Sequence, residues 1–236
     1  MSDTPADVAK ANAARAAADY VKSGMIVGLG TGTTAAHLVR ELGRRAREGL
    51  AFQGVPTSEA TLKLALAVGL SMLTPDEAPR IDLTIDGTDE VDGLFRLIKG
   101  AGGALLREKI VAAASNDFVI IADESKRVDV LGGKYPLPVE VTPFAASLTA
   151  RRVEAALRSS GCPGRRTALR RTPPGELFIT DGGNYILDCH CERIPEPEAL
   201  AAALDATPGV VEHGLFLGMA RTLIIGAAHG AETFTQ

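Results

Sequence analysis

The chain has 236 residues, 46% of them hydrophobic, and a formal net charge of −4 at pH 7. This length and apolar content allow a full hydrophobic core and exclude an intrinsically disordered chain. The negative charge argues against a nucleic-acid-binding protein, which normally presents a basic face.

The first half of the chain alternates predicted helices with short apolar strands. In chain order we expect a helix over 7–21 ended by Gly24, a strand over 25–30, a helix over 31–49, a strand over 50–58, a helix over 59–69, a strand over 81–86, a helix from about Ala104 and a strand over 118–123. Apolar strands that alternate with helices predict a parallel sheet covered on both faces.

The pattern changes where prolines cluster near residues 132–141, as is typical of a domain boundary. The elements expected next are a strand over 137–141, a helix over about 145–159, a polar strand over 166–171, a hairpin of 177–181 and 185–191 around a Gly-Gly-Asn turn, a helix over 195–209 and a strand over 210–217. A β-α-β-β-α-β order suggests a small ferredoxin-like domain. Residues 221–230 predict a strand that returns to the first domain. We therefore predict one domain over 1–135 and 219–236, and a smaller one over 136–218.

Cysteine usage and the N-terminus predict the location. Cys162, Cys189 and Cys191 are odd in number and lack the spacing of a disulfide scaffold, which indicates free thiols. The N-terminal stretch has no long apolar core and contains acids, so neither a secretory signal nor a transit peptide is expected, and no segment has the length of a membrane span. We expect a soluble cytoplasmic protein.

The Cys-His-Cys stretch raises the question of a metal. Along a strand, Cys189 and Cys191 face one way and His190 the other, which is poor geometry for zinc. No second pair of ligands accompanies them. We therefore predict no metal site.

Residues 28–38 combine a strand end, a glycine-rich turn and a helix start. Unpaired N–H groups and the helix dipole favour an anion at such a turn, and Thr31, Thr33 and Thr34 add hydroxyl donors, so a phosphate fits. The dinucleotide-binding fingerprint fails because Thr33 stands where its third glycine belongs, and no Gly-Lys-Ser/Thr follows for a Walker loop. An ordinary strand–helix turn remains the alternative.

Asp86 and Asp89 lie at and just past the carboxyl end of the predicted strand over 81–86. Ligands of open α/β sheets bind at this edge. A calcium loop does not fit because the glycine and the distal glutamate are misplaced. A haloacid-dehalogenase-type phosphatase does not fit either, because Thr84 occupies the position of its nucleophile. Proton transfer by paired carboxylates and an acidic solvent-exposed loop both remain open.

Lys99 precedes a Gly-Ala-Gly-Gly turn, which lets the backbone approach a ligand closely. The helix that follows is apolar on almost every side, which predicts that it is buried all round. Glu108 lies on this helix, and a buried carboxylate is costly unless it is paired or used in chemistry. A plain salt bridge from Glu108 to Arg107, Lys109 or Lys99 stays open.

Several charged residues stand alone in the pattern. Lys126, which follows a strand end, and Lys10, on the first helix, can each supply a cation to a phosphate or simply be solvated. His37, His213 and His229 are isolated, and we interpret each as a surface or packing residue.

Taken together, these motifs resemble the type A family of ribose-5-phosphate isomerases. The matching segments are 28–39, 56–61, 82–92, 98–112, 122–126 and 137–141, with weaker similarity at 183–188 and 208–216. The resemblance implies a cofactor-free enzyme that interconverts ribose 5-phosphate and ribulose 5-phosphate in the pentose phosphate pathway. It implies an α/β fold, with a Rossmann-like parallel-sheet domain and a smaller ferredoxin-like α+β domain. It also implies a sugar phosphate as the partner and a homodimer or homotetramer, while the charge and the segment lengths already predict neither a nucleic acid nor a membrane as a partner.

The resemblance also implies roles for individual residues. The catalytic set is Glu108 as the base, the acidic pair Asp86 and Asp89, and Lys99. The substrate-binding set is Thr31, Gly32, Thr33, Thr34, Gly87, Thr88, Gly100, Ala101, Gly102, Lys126 and Lys10. Ala101 departs from the family, in which many relatives have glycine, and this puts a positive φ at residue 101 in doubt.

A mechanism follows as a hypothesis. Glu108 moves a proton between C2 and C1, while Lys99 and the glycine-loop amides stabilise the enediolate. Asp86 and Asp89 move hydroxyl protons and assist ring opening, and the threonine loop holds the phosphate together with Lys126. An isomerase or deaminase of another sugar phosphate, and a non-catalytic sugar-phosphate sensor, remain alternatives.

Overall fold

The computed structural model describes residues 4–236, so residues 1–3 of the stretch used for the targeting prediction lie outside the described part. The chain divides into two compact units. The first unit contains residues 4–88, 107–126 and 219–236, and the second contains 89–106 and 127–218. The second unit thus includes 89–106 and 127–135, which the sequence analysis assigned to the first domain. The domain boundaries themselves stay predictions.

The elements below are numbered in chain order. The helices are α1 (Pro5–Ala17), α2 (Thr33–Arg47), α3 (Glu59–Ala67), α4 (Leu105–Ala113), α5 (Ala146–Ser159) and α6 (Pro197–Asp205). The strands are β1 (Ile26–Leu29), β2 (Gln53–Pro56), β3 (Leu83–Gly87), β4 (Glu90–Val91), β5 (Leu97–Ile98), β6 (Phe118–Asp123), β7 (Leu137–Val141), β8 (Arg166–Leu169), β9 (Tyr185–His190), β10 (Val210–His213), β11 (Leu215–Phe216), β12 (Thr222–Ala227) and β13 (Gly230–Thr235). Over residues 4–236, no helix has both the length and the apolar character needed to cross a membrane.

A six-stranded sheet forms the centre of the first unit, in the order β13-β12-β6-β3-β1-β2. All neighbours pair in parallel except β12 and β13, which are antiparallel. β1, β3 and β6 are buried along their whole length, as expected of strands covered on both faces. The predicted α/β class is confirmed, whereas the polar edge strand β13 was not predicted.

α1 begins at a capping box, in which the Thr4 hydroxyl accepts the N–H of Asp7 and the Asp7 side chain accepts the N–H of Thr4. Its small side chains let it pack closely on β12, where a Cβ on Gly226 would lie 1.9 Å from the carbonyl oxygen of Ala9. The helix ends at Ala17 and continues as a 3₁₀ turn. The expected end at Gly24 was therefore wrong.

The second unit contains an antiparallel four-stranded sheet in the order β10-β7-β9-β8, packed with α5 and α6 around its own apolar core. Its β-α-β-β-α-β sequence of elements confirms the ferredoxin-like prediction. The predicted hairpin was wrong, because β9 pairs with β7 and β8, and 177–181 contributes a single bridge at Leu177. The reason lies in Glu140, a buried carboxylate that accepts hydrogen bonds from Thr180 and Asn184 at 2.8 and 3.0 Å. The side chains of Thr180 and Asn184 satisfy that buried carboxylate, and the segment does not extend a strand.

A second small sheet, β11-β5-β4, also belongs to this unit. The strand expected over 210–217 is split at Gly214, whose N–H donates to the Pro138 carbonyl and whose carbonyl accepts the Lys99 N–H. A Cβ on Gly214 would lie 2.3 Å from the carbonyl oxygen of Lys99, so glycine is required there.

α4 is buried along one side only. Leu105, Glu108 and Val111 are buried, whereas Ile110 is 55% exposed. The prediction of burial all round was wrong, because an apolar composition does not show how many sides of a helix its neighbours cover.

Candidate active site

The turn between β1 and α2 has the shape of an anion-binding loop. Gly32 caps α2 with φ of 106°, a conformation that favours glycine, and Thr33 is the first helical residue. Gly32 and Thr33 are exposed, while Thr34 is buried. The amino end of α2 therefore presents its N–H groups next to accessible backbone and a hydroxyl.

Asp86 is tied to this loop. Its side chain is fully buried, and its Oδ1 accepts the N–H of Thr31 at 3.1 Å and that of Gly87 at 2.7 Å. Gly30 leaves no room for a side chain, because a Cβ would lie 2.0 Å from Asp86 Oδ1. The structure thus brings the predicted threonine loop and the first predicted aspartate together.

A cluster of hydroxyl groups lies within hydrogen-bond distance of the Thr31 side chain. Its Oγ1 lies 2.8 Å from both Thr57 Oγ1 and Ser58 Oγ, and 3.2 Å from Thr61 Oγ1. Thr61 in turn donates to the Gly30 carbonyl at 2.8 Å. Sequence analysis did not assign this cluster, although the run of hydroxyl residues after β2 was the available signal.

Lys126 and Lys10 belong to the same edge of the sheet as the loop. Lys126 ends the 3₁₀ turn that follows β6, so it lies at the carboxyl end of that strand. Lys10 follows Ala9, whose carbonyl packs against Gly226, and Gly226 pairs with Asp123 at the end of β6. Both lysines are half-buried.

Glu108 lies one turn into α4 with only 4% of its surface exposed, and its Oε2 is fully buried. The neighbouring Arg107 points its guanidinium to Glu59 at 2.8 Å, an ion pair at the surface. Glu108, the only acidic residue of α4, thus lies on the buried side of the helix.

In the second unit, Asp89 contacts the glycine loop, residues 100–103. Its N–H donates to the Ile98 carbonyl, and its Oδ2 accepts the N–H of Ala101 at 2.8 Å. Positive φ occurs at Gly100 and Gly103, and Ala101 is not among the non-glycine residues with positive φ. The methyl group of Ala101 therefore causes no backbone strain, and a positive φ at residue 101, which the sequence put in doubt, does not occur.

Lys99 precedes this loop and is 2% exposed. Its N–H donates to the Gly214 carbonyl at 2.9 Å, and its Nζ lies 5.4 Å from the centroid of the Phe216 ring. An ammonium over an aromatic face is stabilised by the ring quadrupole. Lys99 is therefore held in place by both its backbone and its side chain.

Comparison with known proteins identifies the family of the chain. A model of the family described as ribose 5-phosphate isomerase A (phosphoriboisomerase A) matches residues 53–230. The chain is 54% identical to ribose-5-phosphate isomerase A of Sinorhizobium fredii over 226 residues, 96% of each protein. It is 50% identical to that of Parvibaculum lavamentivorans over 227 residues, 96% of this chain and 97% of that protein. The chain belongs to the ribose 5-phosphate isomerase A family.

Solved structures agree with this assignment. A D-ribose-5-phosphate isomerase in complex with phospho-erythronic acid superposes with a TM-score of 0.92 at 33% identity, covering 99% of this chain and 100% of that one. The predicted fold class is confirmed over nearly the whole chain. As a member of the ribose 5-phosphate isomerase A family, the chain is an aldose–ketose isomerase that interconverts ribose 5-phosphate and ribulose 5-phosphate.

One group of three side chains within residues 4–236 has the spacing of a metal site: Asp205, Glu212 and His213. The backbone N–H of Leu215 donates to His213 Nδ1 at 3.2 Å, so Nδ1 carries no proton and Nε2 does. That Nε2 lies 3.2 Å from Asp205 Oδ1. A metal on Nε2 would leave the imidazole proton on Nδ1, where it would face the Leu215 N–H, so the group is better described as a histidine–carboxylate hydrogen bond.

Proposed function

We propose that Glu108 is the base of this isomerisation and moves a proton between C2 and C1 of the sugar. The burial of its carboxylate carries the proposal, because a base sheltered from water keeps the abstracted proton and returns it to the neighbouring carbon.

The proton steps balance within the substrate. In the open-chain aldose, the Glu108 carboxylate takes the proton from C2, and the electron pair moves toward C1 and its oxygen to form an enediolate. The protonated carboxyl then returns the proton to C1, while the hydroxyl proton of O2 passes to O1. The product is the ketose, and Glu108 is again a carboxylate.

The enediolate oxygen needs positive charge and hydrogen-bond donors. Lys99 supplies the charge, and its fixed backbone and the contact with Phe216 hold the amine before the reaction starts. The glycine loop supplies N–H donors. Since the N–H of Ala101 is already used by Asp89, and that of Gly103 by the Gly100 carbonyl, the donor we assign is the N–H of Gly102.

The phosphate group binds at Thr31 to Thr34 and the amino end of α2, with Lys126 and Lys10 as counter-charges. Phospho-erythronic acid, the ligand of the relative with 33% identity, combines a carboxylate and a phosphate in one small chain, which supports a site with two anion-binding ends. Gly87 and Thr88, which follow Asp86, line the path between them in this proposal.

Asp86 and Asp89 move hydroxyl protons when the furanose ring opens. The N–H of Thr31 fixes the orientation of Asp86, and the N–H of Ala101 fixes that of Asp89. Each aspartate is thereby coupled to one binding element, so substrate contact and proton transfer depend on the same backbone segments.

Replacing Glu108 by glutamine tests the assignment of the base. Glu108→Gln keeps the shape and removes the basic oxygen, so kcat should fall by roughly 10²–10⁴-fold with little change in KM. Incorporation of solvent deuterium into unreacted ribose 5-phosphate should fall in parallel. Glu77→Gln, the same change at an exposed glutamate, is the matched control and should behave as wild type. Near-normal turnover or deuterium exchange in Glu108→Gln would contradict the assignment.

The other candidate activities are separated by substrate. A panel of phosphorylated aldoses and amino sugars should show the highest kcat/KM for ribose 5-phosphate. A faster reaction on another member of the panel would contradict the proposed specificity. Tight binding of ribose 5-phosphate without proton exchange at C2 would indicate a sensor instead.

We also propose that the chain forms a homodimer or homotetramer. Exposed apolar side chains support this, above all Phe144, which is 88% exposed, and Leu148, which is 55% exposed. Light scattering after size exclusion should give about twice or four times the chain mass of 24.6 kDa. A mass equal to one chain at every concentration would contradict it.

A cytoplasmic location is the last part of the proposal. All three cysteines are free and buried, as expected of a protein kept in a reducing compartment. Fractionation of the native organism's cells should place the isomerase activity with the soluble cytoplasmic enzymes, and activity in a membrane or exported fraction would contradict this.

A further inference from the structure

The glycine loop of the second unit is held by an arginine that is distant in the sequence. Nη1 of Arg170 donates to the carbonyl oxygen of Gly100 at 2.8 Å and to that of Ala101 at 2.9 Å. Seventy positions separate Arg170 from Gly100. One guanidinium nitrogen thus fixes two consecutive carbonyls of a turn that would otherwise be flexible because of its glycines.

Arg170 is itself fixed on its other side. Its Nε and Nη2 donate to the two carboxylate oxygens of Asp188 at 3.0 and 2.5 Å, the bidentate geometry that suits guanidinium. The guanidinium carbon also lies 5.8 Å from the centroid of the Phe178 ring. The side chains of Arg170 and Asp188 are only 13% and 19% exposed, so the ion pair is shielded from solvent.

The two carbonyl contacts determine where the amides of the loop point. In a trans peptide the C=O and the N–H point in opposite directions. The peptide between Gly100 and Ala101 shows this directly, with its C=O on Arg170 and its N–H on Asp89. The next peptide has its C=O on Arg170 as well, so the N–H of Gly102 points away from Arg170.

We propose that Arg170 is a positioning residue for the isomerisation. It holds the glycine loop so that the N–H of Gly102 donates to the developing enediolate oxygen, and it polarises the same peptide through the Ala101 carbonyl, which makes that N–H a stronger donor. Arg170 acts through the backbone and does not contact the substrate. The inference rests on the proposed function, in which the loop amides stabilise the oxyanion.

The chemistry of the side chain makes a graded test possible. Lysine keeps the positive charge and one donor nitrogen, but it cannot hold Asp188 and two carbonyls at once in a planar fork. Methionine keeps the apolar stem and removes every donor. We therefore expect kcat to fall on the order of 10²-fold in Arg170→Met, as for an oxyanion donor displaced by about 1 Å, and to fall less in Arg170→Lys.

The matched control is the adjacent Arg171. It is exposed, and its Nη1 donates to the Gly175 carbonyl at 2.6 Å, which is not part of the glycine loop. Arg171→Met removes the same chemical group one position away. Its kcat, KM and loop dynamics should match those of the wild-type enzyme.

Two measurements on the full-length enzyme decide the question. Steady-state kinetics with ribose 5-phosphate should show a lower kcat with little change in KM for the Arg170 variants. Hydrogen–deuterium exchange should show faster exchange of the loop amides around Ala101, because the loop loses its hydrogen bonds to Arg170. A purely structural role would instead lower thermal stability without separating kcat from KM.

Unchanged loop exchange together with unchanged kcat in Arg170→Met would overturn the proposal, and so would faster exchange with wild-type kcat. If Arg170→Met does not fold, Arg170→Lys decides by the same two readouts. The exchange measurement needs no catalysis, so it tests whether Arg170 holds the glycine loop independently of the proposed function. If the proposed function is wrong, Glu108→Gln keeps near-normal turnover, while the loop of the Arg170 variants still exchanges faster.

Discussion

Gly30→Ala tests whether the contact between the threonine loop and Asp86 matters for catalysis. The added Cβ would lie 2.0 Å from Asp86 Oδ1 and 2.6 Å from Asp86 Cα. Real Cβ atoms essentially never approach another heavy atom within 3.0 Å, so the loop and Asp86 must separate by about 1.0 Å, the difference between 3.0 and 2.0 Å. The backbone atom is among the contacts, so rotation of the Asp86 side chain alone cannot relieve the clash.

A separation of this size has two expected costs. Overpacking of a buried site typically costs about 1–3 kcal/mol of stability. A displacement of about 1 Å at a reacting group can lower the rate by on the order of 10²-fold. We therefore expect a folded, moderately destabilised enzyme whose kcat/KM falls by that order.

The assay is the rate of ribulose 5-phosphate formation, measured beside a urea unfolding curve. Gly93→Ala is the matched control, because a Cβ there meets nothing within 4 Å and Gly93 has no positive φ. The control should match wild type in both measurements. Wild-type kcat/KM in Gly30→Ala, with the expected loss of stability, would refute the reasoning that the position of Asp86 sets the rate.

Three further predictions concern stability and reactivity. The hydrogen bond from Arg44 lowers the pKa of Glu41 to about 2. The ionised Glu41 therefore contributes its full stabilisation above about pH 4.5, and this stabilisation is lost as the pH falls toward 2. Glu41→Gln should remove roughly 0.5–1 kcal/mol of that acid-dependent stability in urea titrations, a small value because Arg44 is half exposed. Burial raises the pKa of the Cys189 thiol, so iodoacetamide should label it only after unfolding, as mass spectrometry would show, and rapid labelling of the native protein would contradict the described burial. Gly226→Ala should destabilise the first unit by about 1–3 kcal/mol in urea unfolding, because its Cβ would lie 1.9 Å from the Ala9 carbonyl, and an unchanged midpoint would contradict the close packing of α1.

The elements with strong local signals were predictable from sequence. β1 is apolar throughout, β6 is apolar up to its last residue, Asp123, and both lie in the middle of a parallel sheet, as such runs indicate. The glycine-rich turn before Thr33 and the acid at Asp86 lie at the carboxyl end of that sheet, where ligands of α/β proteins bind. Sequence alone therefore predicted the edge of the sheet at which we propose that the substrate binds.

Other features depend on partners that no local pattern reveals. The stretch 177–181 has the composition of a strand, yet Thr180 serves the buried carboxylate of Glu140, 40 positions away. Arg170 lies in a polar stretch that resembles a surface strand, and its proposed role follows only from its contacts with Gly100 and Ala101. Ile110 is exposed on an apolar helix, because burial is decided by what packs against each side.

The pairing of β12 with β6 has a consequence for synthesis on the ribosome. β12 (Thr222–Ala227) completes the side of the first unit's sheet that β6 (Phe118–Asp123) leaves open, and residues 127–218 of the second unit are translated between them. A nascent chain therefore carries an unprotected strand edge on β6 for the whole time that the second unit is being made, and such edges promote aggregation. The six-stranded sheet of the first unit is completed last, after the smaller α+β fold has had time to form.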